Sequence, residues 1–103
     1  MATPSVTDVS LLDILTKLQP GEDVDESLRK LLAFKARNDL IRYRLVDQGF
    51  RKEYGSDFFS FKASDRMKHP PFKMEQDFFD WELAVTMIDD MEAALNILQR
   101  DAP

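Results

Sequence analysis

The chain contains no cysteine, only three glycines and a single histidine. The absence of cysteine excludes a disulfide framework, a thiolate metal site and a cysteine nucleophile. With so little glycine a phosphate-cradling loop is difficult to build, and no P-loop, G-x-G-x-x-G, G-x-S-x-G or H-E-x-x-H motif occurs. His69 stands beside two prolines and has no second histidine to share a metal with. We therefore expect no metal and no cofactor.

Long apolar runs are also missing from the sequence. No stretch of about 18 apolar residues occurs, as a membrane-spanning helix would need. The chain also does not begin with the basic and then apolar pattern of a secretory signal. We therefore expect a cytoplasmic protein without membrane contact, and its 103 residues suit a single domain.

The stretch from Val24 to Tyr54 has no proline and only one glycine, Gly49, and the rest of the chain is organised around it. Apolar and aromatic residues follow one another along it at intervals of three or four, which is the spacing of one helix face. These residues are Leu28, Leu32, Ala36, Leu40, Tyr43, Val46, Phe50 and Tyr54. Asp23 with Glu26 forms a capping-box variant at the start, and Gly55 suits the left-handed end. We predict one long helix, with a bend at Gly49 as an alternative.

The length of this helix has a physical consequence. At ~1.5 Å per residue it spans roughly 46 Å, whereas a compact domain of this size has a radius of gyration of only about 13 Å. The helix must therefore overhang its own core, lie along another long helix, or break. The first two outcomes leave apolar surface for a partner.

Three further helices are predicted around the long one. The first covers residues 7–18, and a Pro-Gly linker joins it to the long helix. A short connector follows at 57–63, and a last helix covers 72–98, with an apolar stripe and many acidic residues. An acidic helix returning along a basic one gives an antiparallel hairpin. We therefore predict an all-α fold in one domain, 1–103, with an N-terminal helix and linker (1–22) and a hairpin core (23–99).

Self-association is predicted from the width of the apolar faces. Two long helices cannot bury wide apolar faces against each other alone, so we predict that two hairpins form a homodimer, a four-helix-like bundle.

The charge is unevenly distributed. Residues 29–52 contain eight basic side chains against Asp39 and Asp47, a net charge of +6 that leaves −11 for the rest of the chain. One interpretation is a basic face for nucleic acid around Arg37, Arg42 and Arg44. The other, which we favour because no nucleic-acid-binding motif accompanies the charge, is a solvated helix face paired with acidic residues of the same fold. Nucleic acid is therefore not expected to be a partner of this chain alone.

The acidic residues of the last helix raise a third possibility, a carboxylate-metal hydrolase acting on nucleotides. Asp77 and Asp80 have a helical spacing that suits a divalent cation. The long helix offers only Asp39, Asp47 and Glu53 on the facing side, among many cations, so a second carboxylate pair is missing. We therefore predict that the chain is not an enzyme.

Two segments, FRKEYGSDFFSFKAS and FKMEQDFFDWELAV, resemble a pattern of small bacterial and archaeal helical proteins, among them RelB-like antitoxins of toxin–antitoxin modules. In that pattern a long helix ends in Tyr-Gly, a short helix carries spaced phenylalanines, and an acidic segment with Trp-Glu opens the last helix. The resemblance covers residues 50–82. It implies binding and neutralising a small toxin protein, with no reaction catalysed. The matching positions are Tyr54, Gly55, Phe58, Phe61, Glu75, Asp77, Trp81 and Glu82.

This chain departs from the usual antitoxin layout, because it has no ribbon-helix-helix segment and no disordered toxin-wrapping tail. The candidate partner-binding residues are aromatic, since aromatic side chains dominate protein interfaces. They are Phe58, Phe59, Phe61, Phe79 and Trp81. The alternative is that the connector aromatics act as a plug that closes the end of the hairpin, because neighbours at i and i+1 do not share a helix face.

Overall fold

A computed structural model describes residues 11, 13, 14, 17, 21 and 23–100 of the chain, and the structural statements below concern these residues. Residues 23–100 contain three α-helices: α1 (Val24–Tyr54), α2 (Phe58–Lys62) and α3 (Phe72–Arg100). A 3-10 turn (Asp65–Met67) lies between α2 and α3. This part of the chain contains no strand, so the predicted all-α fold is confirmed here, as is the pairing of the two long helices.

The predicted N-terminal helix, 7–18, lies largely outside the described residues. Four of its residues are described, and all four have a helical backbone: Leu11, Asp13, Ile14 and Lys17.

Helix α1 begins and ends at the residues that its capping signals predict. The Asp23 carboxylate accepts a hydrogen bond from the Glu26 backbone N–H at 2.7 Å, which satisfies one of the free donors of the first turn. At the other end Gly55 has φ +69°, and its N–H donates to the Arg51 carbonyl at 2.8 Å. The helix continues through Gly49 without interruption.

Helices α1 and α3 lie side by side as an elongated antiparallel hairpin. The radius of gyration is 19.6 Å, against about 13 Å for a compact domain of this length. Of the three outcomes considered for the long helix, the structure adopts the one in which it lies along another long helix. Helix α3 ends at Arg100, two residues beyond the predicted end.

The seam between the two helices differs from the stripe expected from the sequence near the start of α1. Leu28 and Leu32 belong to the predicted apolar face, yet 45% and 54% of their surfaces are exposed. Ala33 and Ala36 are buried in the seam instead. Small side chains occupy the line where two helices approach closely, and the larger leucines beside that line stay at its edge.

The closed end of the hairpin contains the largest buried side chains. Phe58, Phe61 and Trp81 are buried, and half-buried residues of both long helices surround them. The Trp81 ring centroid lies 5.2 Å from that of Phe61 and 5.5 Å from that of Phe58. Helix α2 therefore closes the hairpin as a plug, held by an Asp57 cap whose side chain accepts from the Ser60 N–H at 2.8 Å.

Replacing Trp81 with alanine tests this core directly. Because the indole is fully buried, we expect Trp81→Ala to lower the free energy of unfolding by about 3 to 5 kcal/mol. Urea denaturation followed by circular dichroism measures the loss. Phe79→Ala is the matched control, since 57% of Phe79 is exposed, and it should change stability by less than about 0.5 kcal/mol. Equal losses in both variants would show that Trp81 does not form the core.

Two glycines of α1 offer a matched pair of backbone tests. A Cβ atom added at Gly49 or at Gly55 meets nothing within 4 Å, so neither substitution creates a clash. Only Gly55 has positive φ. Gly55→Ala should therefore destabilise the fold by about 1 kcal/mol, whereas Gly49→Ala should stabilise it by up to about 1 kcal/mol. Thermal melting of both variants gives the two signs, and a stabilising Gly55→Ala would contradict the left-handed cap.

Candidate functional site

The aromatic residues predicted as partner-binding anchors fall into two groups. Phe58, Phe61 and Trp81 are 4%, 1% and 0% exposed, so they hold the hairpin together and present no surface to another protein. Phe59 and Phe79 are 68% and 57% exposed. Each exposed ring follows a phenylalanine that faces the core, because consecutive helix residues lie about 100° apart.

The two exposed rings are joined through the core by direct ring contacts. Phe59 contacts Phe58 with centroids 5.6 Å apart, and Phe58 contacts Phe78 at 5.3 Å. Phe78 in turn contacts Phe79 at 5.6 Å. The four rings form a continuous row across α2 and α3, which we call the aromatic row. Its two ends, Phe59 and Phe79, are exposed on a rigidly packed base.

Polar groups at the same end are satisfied by carboxylates of the two long helices. The Trp81 indole N–H donates to Asp47 at 2.8 Å. The Tyr54 hydroxyl donates to Asp77, and the Lys73 ammonium donates to Asp77 at 2.8 Å and to Glu53 at 3.1 Å. Sequence reasoning did not identify the pairs between the two long helices, because their members lie 20 to 34 positions apart in the chain.

These contacts shift the pKa values of the groups involved. The hydrogen bond from Lys73, supported by the one from Tyr54, lowers the pKa of the Asp77 carboxyl. Burial, together with the hydrogen bond to the Asp77 carboxylate, raises the pKa of Tyr54 from 10.0 to about 12. The hydrogen bonds to Asp77 and Glu53 raise the pKa of Lys73. At neutral pH Asp77 and Lys73 are therefore held in their charged forms, and the Tyr54 hydroxyl is held in its neutral, proton-donating form.

The carboxylate pair considered for a metal does not act as a unit. Asp77 is engaged by Lys73 and Tyr54, whereas Asp80 is exposed and lies beside Tyr43 and Leu83. In the part of the chain that the structure describes, histidine and carboxylate side chains form no group of three arranged to hold a metal ion. Within the same residues, no helix combines the length and the apolar character that crossing a membrane requires.

The three arginines proposed as a basic face lie on two sides of α1. Arg37 and Arg44 lie seven positions apart on one side, whereas Arg42 lies about 140° round the helix from Arg37. The Arg44 guanidinium pairs with Glu92 of α3 at 2.8 Å. Arg42 lies 3.6 Å from Asp39 and stacks on the Tyr43 ring at 4.9 Å. Two of the three cations are therefore paired within the chain.

Helix α1 also has an apolar stripe that sequence reasoning missed. Large side chains recur on it at spacings of three and four and are 37% to 64% exposed. We call this stripe, completed by one polar residue, the outward seam of α1: Leu31, Phe34, Asn38, Ile41 and Leu45. It is displaced by two positions, about 200°, from the buried positions 33, 36 and 40 and the half-buried positions 43 and 47. Its sequence signal is the regular heptad spacing of its apolar residues.

Helix α3 has a corresponding exposed stripe. Phe72, Phe79 and Leu83 are 75%, 57% and 55% exposed, and the exposed Gln76 and Thr86 complete the heptad spacing. We call these five residues the outward seam of α3. Phe79 therefore belongs both to this seam and to the aromatic row.

Comparison of the chain with protein-family models, with curated proteins and with solved structures finds no match. The resemblance to RelB-like antitoxins therefore rests on residues 50–82 alone. In the structure these residues build the closed end of the hairpin: Gly55 ends α1, and Phe58, Phe61 and Trp81 form the buried cluster.

The pKa shifts predict how stability changes with pH. In the unfolded chain an aspartate has an ordinary pKa of about 3.9, above that of folded Asp77, so stability falls as the pH drops below about 4. The folded Tyr54 pKa of about 12 lies above its ordinary 10.0, so stability also falls as the pH rises from 10 towards 12. Urea midpoints measured from pH 3 to pH 11 should show both losses.

Single substitutions show which residue causes the loss of stability at low pH, the acid arm, and which causes the loss at high pH, the alkaline arm. Asp77→Asn should flatten the acid arm, and Tyr54→Phe should flatten the alkaline arm while removing about 1 to 2 kcal/mol at neutral pH. Asp65→Asn is the control, because its carboxylate is 93% exposed in a surface pair with Lys68. A Tyr54→Phe profile that matched the wild type above pH 10 would rule out the assignment.

Proposed function

We propose that this chain is a non-enzymatic protein-interaction module that binds a small partner protein, as an antitoxin of RelB-like type binds its toxin. The proposal rests on the observation that more hydrophobic residues are exposed than are buried. Among the described residues, seven hydrophobic residues are buried, whereas fourteen large hydrophobic side chains are exposed. Exposed apolar side chains in such number and continuity are typical of interaction surfaces.

The aromatic row supplies the anchors that the proposal needs. Aromatic side chains that stand on a rigid, well-packed base bind a partner with little loss of conformational freedom. Phe59 and Phe79 meet that condition, because Phe58 and Phe78 fix them from below through ring contacts of 5.6 Å each. Phe58, Phe61 and Trp81 contribute by holding this base in place.

The resemblance supports the same region of the chain. Its matching residues form the closed end of the hairpin, and the two exposed rings lie directly beside them in sequence: Phe59 follows Phe58, and Phe79 lies between Asp77 and Trp81. The partner-binding role then belongs to exposed neighbours of the motif, while the motif residues build the platform. Self-association of the hairpin is part of the proposal, since the same imbalance of apolar surface favours it.

Co-expression tests the existence of the partner. The chain is produced together with the protein encoded by the neighbouring reading frame, and light scattering coupled to gel filtration measures the mass of the purified species. We expect a stable complex that contains both proteins. If the chain separates cleanly from its neighbour at micromolar concentration, the antitoxin-like function is rejected.

Substitutions on the aromatic row test the site. Phe59→Ala and Phe79→Ala should each weaken partner binding by about 30-fold, the value for an interface residue worth ~2 kcal/mol. Neither should shift the melting curve, because both rings are exposed. Phe34→Ala is the matched control: its ring is 64% exposed but lies on α1, away from the row. Isothermal titration calorimetry measures the affinities, and equal affinity in all three variants would remove the row from the interface.

A further inference from the structure

We propose that the outward seam of α1 in one copy of the chain packs against the outward seam of α3 in a second copy, in a head-to-tail contact. This inference concerns contacts between identical chains. It does not depend on the partner protein proposed above.

The spacing of the two seams fits helix-to-helix packing. Residues repeat along each at alternating intervals of three and four, the pattern by which paired helices interlock side chains. The α1 seam runs from residue 31 to residue 45, and the α3 seam from residue 72 to residue 86. Each is therefore roughly 21 Å long, at ~1.5 Å per residue. Because the two seams are equally long, each can be covered along its whole length by the other.

Charge excludes the pairing of two α1 seams. The positions that flank this seam on both sides are basic: Lys35 and Arg42 on one side, Arg37 and Arg44 on the other. Lys35, Arg42 and Arg44 remain 71%, 63% and 51% exposed despite their ion pairs. Facing the same seam of another copy would bring like charges together in either helix direction.

The flanks of the α3 seam are mostly acidic. Glu75, Glu82 and Asp89 line one side of it. Asp80 lies on the other side with the basic Lys73, which is already paired within its own chain. Within the described residues, none of these four carboxylates has an ion-pair partner, and neither does Arg37 on α1. In an antiparallel pairing of α1 with α3 of a second copy, the basic side that carries Arg37 faces the acidic side that carries Glu82. The hairpin thus leaves complementary charges unpaired beside its two apolar seams.

The contact is head-to-tail because one hairpin cannot offer both seams to the same neighbour. Each seam lies opposite the buried face of its own helix, so the two seams are on opposite edges of the hairpin. They also lie at different heights, since the Trp81–Asp47 hydrogen bond of 2.8 Å places the α3 seam beside the last turns of α1. A second copy is therefore displaced along the helix axis, and its own free seams remain available for further copies.

Two variants, each with one disabled seam, test the proposal on the full chain. Ile41→Glu puts a negative charge in the α1 seam, where the acidic flanks of α3 repel it, and Leu83→Lys does the converse in the α3 seam. Both side chains are more than half exposed, at 59% and 55%, so the fold should tolerate the changes. Should circular dichroism show a loss of helix in either variant, Leu45→Glu and Phe79→Lys provide the same test.

Analytical ultracentrifugation measures the mass of each species. We expect the wild type to grow with concentration beyond a dimer, and each variant alone to stay monomeric. An equimolar mixture of the two variants should give a one-to-one dimer that grows no further, because only one working α1 seam and one working α3 seam remain. Added salt should weaken the association, since it screens the flanking charges.

Other outcomes overturn the proposal. A wild type that stays monomeric rejects the contact, and so does a mixture in which no dimer forms. A variant that still dimerises alone indicates association through the broad faces of the hairpin, as in a four-helix bundle. Association that salt does not weaken contradicts the charge pairing. Leu32→Ala is the control, because Leu32 is 54% exposed but lies outside both seams and outside the aromatic row, so its loss should leave the self-association unchanged.

Discussion

Two helices that lie side by side share a single line of contact, and this geometrical limit governs the structure. Each long helix buries a narrow seam against the other, and large apolar side chains on its other faces are exposed. The buried seam of α1 accordingly contains small residues such as Ala33 and Ala36, while Phe34, Ile41 and Leu45 remain exposed. The apolar content of the chain exceeds what one seam can cover. The proposed association would cover this excess.

The closed end of the hairpin buries larger side chains than a single line of contact between two helices allows. Helix α2 adds a third element there, and three helices can surround a side chain as large as Trp81 completely. The polar atoms brought in with the aromatic rings are satisfied by Asp47 and Asp77, so the cluster is both apolar and hydrogen-bonded. This end therefore forms a rigid base, and the exposed rings of Phe59 and Phe79 depend on it for their positions.

The charged side chains differ in what they contact. Two ion pairs connect the long helices in the described part, Arg44–Glu92 and Lys73–Glu53. Other pairs join residues three or four positions apart within one helix, and such surface pairs contribute little to stability. Basic residues flank the outward seam of α1, and mostly acidic residues flank that of α3. This arrangement supports the proposed contact between copies.

The sequence by itself determined the helices and their ends. The bounds of α1 follow from Asp23, Gly55 and an unbroken periodicity, because helix formation and capping depend on residues within a few positions of one another. The connector and the start of α3 were predictable for the same reason. The antiparallel pairing also followed, since an acidic helix that returns along a basic one satisfies both charge patterns.

Only the tertiary structure decided which of several apolar stripes became the core. Helix α1 carries more than one stripe at helical spacing, and periodicity does not rank them. The packing of α3 buried the one with small residues and left Leu28, Leu32 and the outward seam exposed. The separation of Phe58 from Phe59, and the engagement of Asp47 by Trp81, likewise depend on residues distant in the chain. Local sequence specifies a helix because the hydrogen bonds of a helix join residues four positions apart. Burial of a side chain depends instead on which surface of another helix packs against it.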